Sequence, residues 1–136
     1  MAAGQSIESL AKRLRARDQR LDALVNNAAV YRDAARHVWD VNVLGPLLLT
    51  KALDPLLANN ARVVFVTSGL GRLSSQPAAV AKPLSALDLT LADLQRIAQE
   101  APDGYAASKA ALNAMARLFA DRLAPRSILV NAISPG

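Results

Sequence analysis

Three short apolar runs separated by longer helical stretches constrain this chain most. They are 21–25 (LDALV), 62–67 (RVVFVT) and 128–133 (ILVNAI). Their apolar residues fall largely on successive positions, the pattern of strands in a parallel sheet covered on both faces. Helical stretches are expected at 6–20, at 34–58 with a bend at Gly45-Pro46 and Pro55 near its end, and at 104–123 before Pro125. The alternation builds βαβ units, so the expected class is α/β with a parallel sheet of three recognisable strands and flanking helices.

The 136 residues make one domain, read as 1–136. Aromatic residues are 4% of a chain that is 52% hydrophobic, so Leu, Val, Ile and Ala must build the core. There is no cysteine and His37 is the single histidine, which excludes disulfides, thiolate metal sites and a Ser-His triad elsewhere. No metal site is expected.

The Leu-rich runs near Lys51 and Asp54 are too short to span a membrane. The first residues, MAAGQS, lack the apolar core of a signal peptide, so a soluble cytoplasmic protein is expected. Residues 12–20 (KRLRARDQR) carry five basic and one acidic residue of a chain whose net charge is +5. This reads as a solvated helix face backed by Ile7, Leu10 and Leu14, and no nucleic-acid partner is expected.

Segment 69–103 reads as an insertion. Its first half (GRLSSQPAAVAKP) is expected to be a mobile loop, either a lid over a site or a surface insertion without a role. Its second half opens with Thr90-Leu91-Ala92-Asp93, a capping-box-like start to a short helix.

Parallel sheets place their ligand sites at the carboxyl ends of the strands. There the sequence puts Asn26-Asn27-Ala28-Ala29, Thr67-Ser68-Gly69 and Ser134-Pro135-Gly136, each of which would also make an ordinary turn. Asn42 is an amide in an apolar helical run, and burying it requires a partner. Tyr105 and Lys109 stand at i and i+4 on one helix face. A unit charge about 4 Å away at an effective dielectric of about 20 is worth roughly 4 kcal/mol, enough to make a phenol a proton donor near neutrality.

The set Asn26-Asn27-Ala28-Ala29, Asn42, Ser68, Tyr105-x-x-x-Lys109 and Pro135-Gly136, in this order, resembles the short-chain dehydrogenase/reductase family over residues 21–136. The resemblance implies a partial Rossmann-like, doubly wound fold and an oxidoreductase interconverting a small-molecule carbonyl and an alcohol with NAD or NADP. It implies that Tyr105 is the acid/base and that Lys109 lowers its pKa and bonds the cofactor's ribose. Ser68 would bond the substrate oxygen, and Asn42 would hold a water in a proton relay. Asn27, Ala28, Pro135 and Gly136 would lie along the cofactor, with Tyr105 and Lys109.

Four features depart from the family pattern. Ala29 stands where the family has glycine, and Asn27 and Asn42 are only 15 residues apart. Ser68 and Tyr105 are 37 apart, similar to the insertion of monomeric carbonyl reductases, which favours NADP. The Gly-rich phosphate turn is missing, since Gly4 is the only glycine before Gly45. A fragment with weak or no activity alone is therefore expected, its first strand showing an unpaired edge. The alternative is a non-catalytic fragment that pairs through that edge with itself or a related subunit.

Overall fold

The computed structural model describes residues 2–102 and 104–136. Strands β1 (Leu21–Asn26), β2 (Leu57–Val66) and β3 (Leu129–Ile133) form one parallel sheet in the order β1-β2-β3. The helices are α1 (Ala2–Ala16), α2 (Ala35–Trp39), α3 (Gly45–Leu53), α4 (Ala78–Leu84), α5 (Leu91–Glu100) and α6 (Tyr105–Leu123). Among the described residues, no helix is long and apolar enough to cross a membrane.

In register, Leu24 with Val63 and Asn26 with Phe65 form one buried face of the sheet. Helix α6 covers it, with Phe65 stacked on Phe119 at 6.0 Å between centroids. Helix α3 is tied to β1 by Asn26 Nδ2 donating to Thr50 Oγ1 at 3.2 Å, and α1 packs beside α3 with Ala11 buried. On the other face Val25, Leu129 and Ile133 are 58%, 54% and 47% exposed. The two-sided burial anticipated from the apolar runs is thus seen on one face among the described residues. The outer edges of β1 and β3 carry no strand partner there.

Several boundaries differ from those expected. Helix α1 stops at Ala16 instead of reaching residue 20, because Asp18 turns left-handed (φ 50). Gln19 N–H then bonds Leu14 O and Asp18 N–H bonds Arg15 O, a Schellman closure that satisfies the last carbonyls.

The expected 34–58 helix is four pieces: α2, a π-helical turn at Asp40–Leu44, α3 and a 3-10 turn at Asp54–Leu56, while residues 57–58 belong to β2. Pro46 has no N–H for the carbonyl of Asn42, so the α ladder loosens there, and Gly45 N–H reaches back to Asp40 O. Strand β2 begins at Leu57, five residues before Arg62. Its start is irregular: Leu21 pairs Leu57 and Ala23 pairs Arg62, with Asn60 at φ 65 in the bulge.

The first half of 69–103 is ordered rather than a loop. It holds short 3-10 turns at Gly69–Gly71 and Leu73–Ser75 and then α4, whose Val80 and Leu84 are buried at helical spacing. Helix α5 starts with the expected capping box, Thr90 Oγ1 accepting from Asp93 N–H at 3.1 Å.

At the amino ends of the strands, Asp54 joins the turn after α3 to the end of α6. Its carboxylate accepts from Arg122 Nε at 3.0 Å and Arg126 Nη1 at 2.6 Å, and Arg126 also donates to the Asp54 and Leu57 carbonyls.

Candidate active site

The expected site residues gather at the carboxyl ends of the strands, around the first turns of α6. Tyr105 opens this helix behind Gly104 and is partly buried. Lys109 lies one turn on, 2% exposed, with its ammonium 5.5 Å from the centroid of the Tyr105 ring. The i, i+4 spacing therefore delivers both groups to one face. Lys109 Nζ donates to Val66 O at 2.9 Å, at the last residue of β2. Burial pushes the Lys109 pKa down, because desolvation penalises the charged form.

Asn42 is fully buried within the π-helical turn. Its Oδ1 accepts from Val30 N–H at 2.8 Å, and its Nδ2 donates to Val30 O at 3.0 Å and Ser108 Oγ at 3.0 Å. Ser108 Oγ in turn donates to Tyr105 O at 2.7 Å. The amide that looked costly in sequence is fully partnered, and it ties the loop after β1 to the start of α6.

Ser68 follows β2 and caps the first 3-10 turn, its Oγ accepting from Leu70 N–H at 3.2 Å. Its own O–H is left to donate. The turn is seated on α6 by three contacts: Thr67 Oγ1 donates to Lys109 O at 3.3 Å, Asn113 Nδ2 donates to Gly71 O at 3.0 Å, and Gly71 packs on the Lys109 backbone. A side chain at Gly71 would meet that backbone at 2.7 Å, so glycine is required by close approach.

Asn27 and Ala28 lie exposed just beyond β1, and Pro135 and Gly136 lie exposed beyond β3. These four share the strand-end side with Ser68, and no hydrogen bond among the described residues joins them to the Tyr105–Lys109–Asn42–Ser68 group. Asn27 and Ala28 line a cleft of about 530 Å³ with Asn26, Val25, His37 and Pro46. Asn26 Oδ1 is buried and has no hydrogen-bond partner among the described residues.

Sequence reasoning missed Ser108, Gly71, Asn113 and Tyr31 as parts of this site. Ser108 carried a signal, since a helical serine reaches the carbonyl three residues back, here that of Tyr105. Tyr31 did not: its ring meets that of Tyr105 edge to face, 4.8 Å between centroids, across 74 residues of chain.

Comparison with known proteins shows the family to which the chain belongs. Residues 1–81 match the short chain dehydrogenase family and residues 75–136 match the enoyl-(acyl carrier protein) reductase family. An uncharacterized oxidoreductase of Methylorubrum extorquens is 36% identical over 126 residues, covering 86% of this chain and 41% of that protein. The short-chain dehydrogenase anuI of Penicillium roqueforti is 31% identical, covering 97% and 53%. The chain thus spans about half the length of these curated relatives.

Salutaridine reductase from Papaver somniferum superposes with a TM-score of 0.83 at 22% identity, over 98% of this chain and 65% of that one, which shows the shared fold. A short-chain dehydrogenase from Streptomyces avermitilis gives 0.67 at 29% identity, over 98% and 44%. The chain belongs to the short-chain dehydrogenase/reductase family of oxidoreductases.

Proposed function

We propose that these residues form the catalytic part of an NAD(P)-dependent reductase or dehydrogenase that interconverts a small-molecule carbonyl and an alcohol in the cytoplasm. The observation that carries this reading is the buried Lys109 ammonium, held by Val66 O and set against the Tyr105 ring. Tyr105 gives its phenolic proton to the carbonyl oxygen, or takes one from the alcohol. Ser68 O–H donates to the same oxygen as charge develops on it. Lys109 stabilises the phenolate form left after transfer. Asn42 fixes the helix start through Ser108 and backs a water path from Lys109.

A bound nicotinamide nucleotide supplies or accepts the hydride. The donor set suits its nicotinamide riboside end. Lys109 uses one of three N–H donors on Val66 and keeps two for ribose hydroxyls. Asn27, Ala28, Pro135 and Gly136 offer strand-end surface for the nucleotide, and Asn27 and Ala28 line the adjoining cleft. NADP is favoured over NAD by the similarity of segment 69–103 to the insertion of monomeric carbonyl reductases.

Turnover of an aromatic aldehyde panel with NADPH and NADH tests this reading. Tyr105→Phe should lower kcat/KM by at least about a hundredfold while leaving the circular dichroism unchanged. Retention of more than a tenth of wild-type turnover would reject the role given to Tyr105.

A second reading is self-association through the open sheet. It is favoured by Val25, Leu129 and Ile133, which are 58%, 54% and 47% exposed on one face. Light scattering decides it, and a monomer at all concentrations would remove it.

A further inference from the structure

Arg32 and Tyr31 have no part in the mechanism above, yet they extend from it. The Arg32 guanidinium carbon stands 5.1 Å from the centroid of the Tyr31 ring, which contacts Tyr105 edge to face with planes at 75°. Arg32, Tyr31 and Tyr105 thus form a continuous row of contacts that ends on the residue assigned to proton transfer. Tyr31 is 58% exposed, so this row is open to solvent and to a ligand.

Nearby charges are already engaged with other groups. Asp33 accepts from Ala34 N–H at 2.6 Å and lies 3.8 Å from His37 Nε2. Arg36 and Asp40 pair at 2.6 Å, and Arg36 also donates to the Ala98 and Gln99 carbonyls at the end of α5. Among the described residues no carboxylate pairs with Arg32. A cation held over an aromatic face keeps its N–H donors available, and the guanidinium fork matches a carboxylate in two parallel bonds.

We propose that Arg32 is a specificity-determining residue that binds a carboxylate of the substrate, with the Tyr31 ring as the wall between that anchor and Tyr105. The site then selects carbonyl compounds carrying an anionic group remote from the reacting carbon. The observations behind it are the placement of the cation over a ring, with no paired carboxylate among the described residues, and the contact of that ring with Tyr105. The inference rests on the carbonyl-reductase reading, and equilibrium binding separates the two.

The probes are 4-carboxybenzaldehyde and its neutral analogue methyl 4-formylbenzoate, titrated into the full chain and followed by two-dimensional NMR. The acid should bind about tenfold more tightly than the ester, the scale of one charge-assisted contact. Arg32→Gln should reduce that preference to within about twofold by weakening the acid alone, and Arg32→Lys should restore part of it. Equal binding of acid and ester by the wild type, no binding of the acid, or an undiminished preference in Arg32→Gln would each overturn the proposal. Selective binding without reduction of either compound supports the anion site and counts against the catalytic reading. Reduction of both without selectivity does the reverse.

Discussion

Replacing Gly71 with alanine probes the joint that holds the Ser68 turn against α6. The added Cβ would lie 2.7 Å from the Lys109 carbonyl carbon, 2.8 Å from its oxygen and 2.9 Å from its Cβ. Two of these atoms are helix backbone, flanked by the buried Ala110 and Ala111, so no single side chain can swing away. Gly71 is not among the positive-φ positions, and the penalty is therefore steric. Overpacking costs about 1–3 kcal/mol, and a backbone obstacle argues for the upper half, about 2–3 kcal/mol. With a urea m-value of about 1.5 kcal/mol per molar, the unfolding midpoint should fall by about 1.3–2 M. Gly69→Ala is the control, since nothing lies within 4 Å of a Cβ there, and its midpoint should move by less than about 0.3 M. Equal shifts in the two variants would refute the reasoning.

Three further outcomes follow from charges and caps. The lowered Lys109 pKa means that, from that value up to the free value of 10.5, the unfolded chain holds a proton the folded chain has released. Stability should therefore rise with pH through that window, and urea midpoints should show the wild type gaining on Lys109→Met; a constant gap would contradict it. Ala101 ends α5 in the left-handed region at φ 45, ψ 58, so Ala101→Gly should add about 1 kcal/mol and raise Tm by about 4 °C, where a lower Tm would be contrary. Asp54→Ala removes the carboxylate that both arginines share and should cost about 2–3 kcal/mol in chemical unfolding. Arg122→Ala, at a side chain 55% exposed, should cost less than about 1 kcal/mol, and equal losses would count against the ranking.

Much of the fold was legible because its signals are local. The three apolar runs report strands directly, and Tyr105 and Lys109 report a shared helix face by spacing alone. The capping box at Thr90 is readable for the same reason. Helix α4 was hidden because its only buried apolar anchors, Val80 and Leu84, sit among Ala, Lys and Pro that resemble a loop. The site was legible as a list of strand-end and helix positions, but its wiring was not. Asn42 finds Ser108 66 residues away, and Lys109 finds Val66 43 residues away, pairings set by tertiary packing. The carboxyl-end positions of Asn27, Ala28, Pro135 and Gly136 were readable from strand order, and no side-chain hydrogen bond among the described residues binds them to the rest.

The π-helical turn at Asp40–Leu44 has a consequence for how this region tolerates length change. One extra residue in a turn advances everything after it by about 100° around the helix axis. The buried Trp39 and Val43 lie before or within that step and the buried Leu47, Thr50 and Leu53 after it. Deleting one residue here to regularise the helix would leave one of these groups rotated out of the core, or carry Asn42 away from Ser108. The turn is thus a phase adjuster: it lets one segment seat its apolar stripe on the sheet and still aim an amide at the start of α6.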